Sequence, residues 1–132
     1  MKSRSQEFAN DVWNKIPVFV PSSDNAKKYG AWAHSLPILI RTSGLAHTLA
    51  FVISKSPNGS QERDMLNDFA QVVLANNTAT AEGLTDRVRT CDLQLYMHLT
   101  RRSLEVCVWF KRFAESKLGI KAGEGDSNDS TQ

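Results

Sequence analysis

Hydrophobic residues recur at intervals of three and four along most of the chain, which is the spacing of one face of an α-helix. No stretch alternates between apolar and polar residues for long enough to predict a β-strand. The clearest apolar stripes are Phe8, Val12 and Ile16 near the start and Met65, Leu66, Phe69, Val72 and Val73 in the middle. The pattern therefore predicts an all-α protein.

Residues 24–43 show a helical pattern that a proline interrupts. Ser23 and its neighbours can cap the start of this helix. Its apolar stripe consists of Tyr29, Trp32, Ala33, Leu36 and Ile40. Because the stripe continues past Pro37, we expect the proline to kink one long second helix rather than to end it. Gly44 follows the stripe and predicts a helix end with a positive φ angle in the left-handed conformation.

The rest of the chain predicts four more helices. Residues 45–55 are apolar almost all the way round, which is typical of a helix in the middle of a bundle. Ser60 follows a turn signal and can cap the next helix. A short fifth helix from Leu84 precedes a long sixth one over residues 92–117, and one continuous helix is an open alternative. The pattern predicts a single-domain bundle of about six helices with a kinked second helix and a long C-terminal helix.

Composition fits this picture. The 132 residues, 41% of them hydrophobic and 23% charged, suit one soluble domain. We expect a cytoplasmic protein that does not enter the membrane, because the chain starts without an apolar signal segment. The last nine residues hold three acids (Glu124, Asp126 and Asp129) and no base. We therefore expect a helical domain over residues 1–120 and a disordered acidic tail over 121–132.

Net charge and candidate chemistry argue against an enzyme. When the three acids of the tail are left out, the chain has sixteen basic and eleven acidic residues and therefore a net charge of +5. Such a charge permits binding to nucleic acid. The three histidines lack a partner four positions away, and Cys91 and Cys107 lack a second ligand pair. We interpret Asp86 as a charge at the start of a helix and Asp92 as the N-cap of the next helix. The sequence thus predicts no catalytic residue, metal site or cofactor.

The long C-terminal helix carries the most informative surface. At about 100° per residue, Arg101 and Arg112 lie nearly opposite its apolar stripe. Arg102 and Trp109 share one flank of the exposed sector, and Lys111 lies on the other. An aromatic ring beside guanidinium groups suits either a contact with nucleic acid or a hot spot for a protein partner.

Two further observations bear on this basic surface. Lys27, His34 and Arg41 are spaced by sevens, so on one continuous helix they line a single stripe that can follow phosphates. The simpler alternative for both helices is an ordinary solvated face. In that alternative Glu105 pairs with Arg101, and Trp109 is half-buried.

Two segments carry motifs that go beyond helical periodicity. In residues 29–55 a tyrosine leads into a Leu-Pro-Ile-Leu-Ile core, and a Gly-Leu-Ala-His-Thr-Leu-Ala-Phe helix ends in lysine. Residues 92–118 contain the runs Thr-Arg-Arg-Ser-Leu and Trp-Phe-Lys-Arg-Phe-Ala. Together these segments resemble the small helical subunit of CRISPR type III-B Cmr effector complexes, and the second is similar to the closing helix of that family. The chain departs from the family pattern at Arg102, where an acid is usual, and at Ser103, where alanine is usual. Residues 61–88 match only in being helical.

The resemblance implies a compact subunit without an active site of its own. Copies would stack into a minor filament beside the backbone subunits that hold the guide RNA, bridge toward the polymerase-like large subunit and flank the duplex of guide RNA and target RNA. The candidate nucleic-acid contacts are Lys27, Arg41, Arg101, Arg102, Lys111 and Arg112. Trp109 is the candidate protein contact. The alternative function is a free-standing helical regulator that binds duplex DNA.

Overall fold

The computed structural model describes residues 3–120, which form seven α-helices and no β-strand. The helices are α1 (Arg4–Lys15), α2 (Asp24–Tyr29), α3 (Leu36–Ser43), α4 (Leu45–Ser54), α5 (Gln61–Leu74), α6 (Ala81–Thr90) and α7 (Leu93–Ser116). The predicted all-α class is confirmed. The predicted acidic tail, 121–132, lies outside the described residues, so the division into a helical domain and a tail stays a prediction.

Helix α5 is the centre of the bundle, since it packs against α1, α2, α6 and α7. Its start is capped as predicted, because the Arg63 backbone N–H donates to the Ser60 hydroxyl at 3.1 Å. The predicted apolar stripe is buried along its length, together with Ala70. Helix α4, in contrast, packs against α3 and α6 and leaves His47 and Phe51 exposed. The prediction that α4 is a central helix is therefore wrong, since an apolar sequence alone does not fix which helix is surrounded.

The predicted kinked second helix is two helices. Helix α2 ends at Tyr29, turns follow, and α3 begins at Leu36 with Pro37 in its first turn. A proline suits a first turn, because the N–H that it lacks would have no partner inside the helix. Gly30 ends α2, and a Cβ there would lie only 2.6 Å from the Ile120 Cδ1 atom. The chain therefore has seven described helices rather than six.

Gly44 joins α3 to α4 with a φ of 87° and a ψ of 160°. The predicted positive φ is confirmed, but the left-handed helical conformation is not what the residue adopts. This combination of angles is open almost exclusively to glycine. The missing side chain also makes room for Tyr96, whose Oη atom would lie 3.3 Å from a Cβ at this position.

Helices α6 and α7 are separate, which excludes the single continuous helix. Cys91 and Asp92 have extended backbone angles, and the Asp92 carboxylate accepts a hydrogen bond from the Leu95 N–H at 2.9 Å. The predicted N-cap at Asp92 is therefore confirmed. Helix α7 has 24 residues, which makes it about 36 Å long, and it packs against α1, α3 and α5.

Candidate nucleic-acid and protein contact surfaces

Arg101 and Arg112 lie on the outer side of α7. Both side chains are exposed, and about three helical turns separate them, so they leave the helix on the same side. Arg101 has no hydrogen bond or ion pair in the described structure. The Arg112 guanidinium lies 5.1 Å from the centre of the Trp109 ring and likewise has no acidic partner. Two of the predicted cations are therefore free to meet an anion.

Arg41 and Lys111 are on two helices that pack against each other. Arg41 is in the last turn of α3, and burial raises the pKa of the Cys107 thiol on α7 while the charge of Arg41 lowers it by a smaller amount. Lys111 follows Cys107 by one helical turn and is exposed, as is Arg41. Neither cation pairs with an acid within the described residues. Arg41 is thus an exposed, unpaired cation on a helix that packs against α7.

Arg102 does not belong to this open surface. Its Nε atom donates to the Val73 carbonyl at 2.8 Å, and its guanidinium lies 4.9 Å from the centre of the Phe8 ring. A second guanidinium nitrogen lies 3.5 Å from the Val72 carbonyl. The expectation that Arg102 is exposed is therefore wrong: its side chain is half-buried and joins α7 to the end of α5 and to α1. A helical projection could not show this, because it says nothing about neighbouring helices.

Trp109 is half-buried in an aromatic cluster between α1 and α7. Its ring lies 5.5 Å from that of Phe113, and Phe113 lies 5.0 Å from Trp13 in an edge-to-face arrangement. The Lys117 ammonium lies 4.3 Å from the Trp13 ring and donates to the Trp13 carbonyl at 2.8 Å. Sequence reasoning missed Trp13, which is exposed, because it sits beside the buried stripe of α1 rather than in it. Both tryptophans present part of a ring to the surface beside a cation.

The stripe of Lys27, His34 and Arg41 is not present. The break between α2 and α3 separates Lys27 from Arg41, so a spacing of seven no longer aligns them. His34 is only 6% exposed, and neither of its ring nitrogens has a hydrogen-bond partner within the described residues. The expectation of a surface histidine is therefore wrong. Lys27 is exposed in the last turn of α2, a helix that packs on α5.

The alternative of an ordinary solvated face made two predictions, of which the half-buried Trp109 is confirmed and the pairing of Glu105 with Arg101 is wrong. Glu105 is engaged, but its partner is Arg4 at the start of α1 rather than Arg101. This pair joins the start of α1 to the middle of α7 and leaves Arg101 unpaired. Trp109 is half-buried, as that alternative expected.

Three acidic side chains make contacts within the fold. Asp92 caps α7, whereas Asp86 lies in the middle of α6, not at its start, and pairs with Arg89 at 3.0 Å. The Tyr29 hydroxyl donates to Asp68 at 2.7 Å between α2 and α5. Burial raises the pKa of the Asp68 carboxyl, while the Tyr29 hydrogen bond and the charge of Lys15 act in the opposite direction.

Two features are absent from residues 3–120, and their absence limits the kinds of site there. Within that range, no three histidine, cysteine, aspartate or glutamate side chains come together where they could ligate a metal ion. None of the described helices is both long and apolar enough to span a bilayer. The features that stand out are therefore the cations around α7 and the exposed apolar side chains.

Known proteins share both this sequence and this fold. The family described as CRISPR-associated protein (Cas_Cmr5) matches residues 4–117. A protein named CRISPR system Cmr subunit Cmr5, from Thermus thermophilus, is 33% identical over 118 residues, which cover 89% of this chain and 98% of that protein. A crystal structure of a CRISPR-associated Cmr5 family protein from the same organism matches with a TM-score of 0.75 and 32% identity, over 89% of this chain and 99% of the other. The helical fold and the shared sequence agree, and the chain belongs to the Cmr5 family of CRISPR-associated proteins.

Proposed function

We propose that this chain is a non-catalytic small subunit of a CRISPR type III-B Cmr ribonucleoprotein complex in the cytoplasm. In this role its copies stack into a minor filament beside the backbone subunits, bridge toward the polymerase-like large subunit and line the duplex of guide RNA and target RNA. The name of the Thermus thermophilus relative, a Cmr subunit, supports membership of such a complex. Cleavage of target RNA falls to the backbone subunits, and we assign no reaction step to this chain.

The unpaired cations around α7 carry the proposal of RNA lining. Arg41, Arg101, Lys111 and Arg112 are exposed and have no acidic partner within the described residues. A cation that neutralises an RNA phosphate releases a bound counterion, so the contact weakens as salt rises and does not depend on base sequence. One copy supplies only a few such contacts. Stacked copies multiply them along one duplex, because the second contact is then made at a high effective concentration.

The structure supports different roles for the remaining candidates. Arg102 is held by α5 and by Phe8, so we assign it to the fold. Trp109 offers a ring edge within an aromatic cluster, and large aromatic side chains often anchor protein partners. We therefore propose that Trp109 contacts another subunit. Lys27 is separated from α7, and its contact with RNA is a separate proposal.

A duplex-binding regulator gains little support from the start of α7. A recognition helix usually places arginine, asparagine or glutamine toward the base edges at its exposed beginning. Here the exposed side chains of the first two turns are those of Leu93, Gln94, Met97 and His98, so Gln94 is the one residue of that kind among them. Apolar groups in this position suit a protein contact better than base recognition.

Reconstitution of the complex with matched charge variants tests the proposal. The test variant replaces Arg101, Lys111 and Arg112 with alanine, and the control replaces the exposed cations Lys28, Lys55 and Arg87. Target-RNA affinity is measured at two salt concentrations, with Lys27→Ala and Arg41→Ala as separate single variants. We expect the test variant to assemble, to bind target RNA more weakly and to show a flatter salt dependence than the control. Wild-type affinity of the test variant at both salt concentrations would contradict RNA lining and leave a purely protein-bridging subunit.

A further inference from the structure

Residues 121–132, the acidic tail, carry a charge opposite to that of the surface around α7. The first charged residue of the tail is Lys121, and the others are Glu124, Asp126 and Asp129. The tail has no large apolar side chain, so charge is the main thing that it can offer to another surface. Carboxylates are attracted to cations that lack an acidic partner, and the attraction is strongest where the two are held close together.

The residues after α7 fix the point from which the tail leaves. The Ile120 N–H donates to the Ala114 carbonyl at 2.9 Å, which turns the chain back beside the last turns of the helix. Gly119 makes this reversal with a φ of 70°. The Ser22 hydroxyl donates to the Gly119 carbonyl at 2.8 Å, and the Ile120 side chain is fully buried. The chain after Ile120 therefore leaves from an anchored point next to α7.

The outer side of α7 holds positive charge that the described residues do not neutralise. Between residues 99 and 114, its exposed charged side chains are all basic and have no acidic partner in residues 3–120: Arg101, Lys111 and Arg112. Glu105, a half-buried acid in the same stretch, is held by Arg4. Glu115 is exposed one turn beyond Lys111, so a single acid stands against three cations on this side of the helix.

The length of the tail matches the distances to these cations. An extended chain spans about 3.5 Å per residue, so Asp126 can lie up to about 20 Å from Ile120 and Asp129 up to about 30 Å. Along the axis of α7, Arg112 is about 3 Å and Arg101 about 20 Å from the level of Ile120, and the path half-way round the helix is about 16 Å. Arg112 is therefore within reach of Asp126, and Arg101 is within reach of Asp129.

Two lysines of α2 lie nearer to the exit point, but the first charge of the tail opposes a contact with them. Helix α2 ends at Gly30, where a Cβ would lie 2.6 Å from the Ile120 Cδ1 atom, and Lys27 and Lys28 are exposed in its last turn. The charged tail residue next to this site is Lys121, and like charges repel. The acids begin only three residues later, where the chain can already pass around α7.

We propose that the acidic tail covers the cations of α7 in the chain outside the complex, and that RNA displaces it. The proposal rests on the RNA lining proposed above and adds a competitor that is part of the same chain. Each exposed ion pair is weak, but the covalent attachment keeps the three carboxylates near the cations at a high effective concentration. RNA offers one phosphate per nucleotide, so the many contacts of the assembled complex overcome the tail, whereas a single chain binds RNA poorly.

A spin label near the end of the tail tests the contact in the free chain. Thr131→Cys with Cys91→Ser leaves one accessible cysteine, because Cys107 is buried. With a nitroxide at residue 131, we expect paramagnetic broadening of the backbone amides of residues 101–112 at about 20 mM salt. The broadening should disappear at about 500 mM salt, since salt screens exposed charges. Broadening confined to α2, or none on α7 at low salt, would overturn the proposal.

Matched variants show whether charge makes the contact. The neutral tail carries the substitutions Glu124→Gln, Asp126→Asn and Asp129→Asn. We expect the neutral tail to remove the broadening on α7, and so should the alanine variant of Arg101, Lys111 and Arg112. Lys27→Ala with Lys28→Ala should leave the broadening in place. Broadening on α7 that survives in the neutral tail would contradict a contact through charge.

Titration with a short RNA duplex measures the competition. At about 20 mM salt, we expect the free chain with the neutral tail to bind the duplex about three- to tenfold more tightly than the wild type. In the alanine variant of the α7 cations, the neutral tail should give little further gain, because the groups that the tail covers are gone. An equal gain in both backgrounds would show general repulsion between tail and RNA, and the proposal would be wrong.

The same measurements separate this proposal from the proposed function. If the α7 cations set the RNA affinity of the complex but the spin label shows no contact, RNA lining stands and the tail proposal is wrong. If the label shows the contact but the alanine variant of α7 binds RNA like the wild type, RNA lining is wrong and the competition is wrong with it.

Discussion

Replacing Arg102 with alanine should destabilise the fold, whereas the same change at Arg101 should not. The two residues are neighbours of the same type on α7, and only their surroundings differ. Arg102 donates to a carbonyl at the end of α5 and lies over the Phe8 ring, whereas Arg101 faces solvent without a partner. The pair therefore separates a structural arginine from a surface one.

The contacts of Arg102 set the size of the effect. The 2.8 Å hydrogen bond to Val73 contributes about 1 kcal/mol, and the stacking on Phe8 about another 1 kcal/mol. The 3.5 Å approach to Val72 is too long to add much. Arg102→Ala should therefore lower the free energy of unfolding by about 2 kcal/mol, and Arg101→Ala should change it by less than about 0.5 kcal/mol. At this chain length, 2 kcal/mol corresponds to a fall in Tm of about 8 °C.

Urea unfolding of the two single variants, followed by circular dichroism, measures this difference. The affinity of the reconstituted complex for target RNA supplies the second readout. We expect Arg101→Ala to keep its stability and weaken RNA binding, and Arg102→Ala to lose stability with little effect on RNA binding under conditions where it is folded. Wild-type stability of Arg102→Ala would refute the assignment of this side chain to the fold.

Three further predictions follow from individual contacts. Gly44→Val should lower the free energy of unfolding by more than about 1 kcal/mol, because valine resists a φ of 87° and its Cβ would lie 3.3 Å from the Tyr96 hydroxyl; an unchanged Tm would contradict this. Burial raises the pKa of Asp68 above its ordinary value of 3.8, so its favourable contribution to stability is complete below about pH 4 and declines as the pH rises through the raised value. The stability of the wild type relative to Asp68→Asn, measured by urea unfolding, should therefore fall as the pH rises above about 4, and a difference that rises with pH would contradict the sign. Trp109→Ala should reduce incorporation of the chain into the reconstituted complex, measured by quantitative gel analysis, while full incorporation would show that this ring is not a protein anchor.

Local signals in the sequence predicted much of the fold. The Ser60 and Asp92 caps and the positive φ of Gly44 each depend on a few adjacent residues, so the sequence alone predicted them. The break between α2 and α3 was not, because it depends on a distant contact. Gly30 is needed where residues 118–120 return to pack against the end of α2, and no nearby pattern shows that approach.

The residues of the candidate site also differ in whether local sequence signals could place them. A helical projection placed Arg101 and Arg112 correctly, since both point away from every neighbouring helix. It failed for Arg102, because the end of α5 and the Phe8 ring occupy the space beside that flank. It also could not show that α3, which carries Arg41, packs on α7, since that packing is a tertiary contact. The positions that sequence reasoning misplaced are those decided by another helix.

A photo-crosslink from the outer face of α7 tests the central claim most directly. Val108 is an exposed residue between Arg101 and Arg112, so a benzoylphenylalanine in its place samples whatever contacts this face. In the reconstituted complex with bound target RNA, we predict crosslinks to the guide RNA or the target RNA. The same group in place of Asn76, in the loop between α5 and α6, should give none. Crosslinks from position 108 to protein alone would contradict the account that this face lines the RNA duplex.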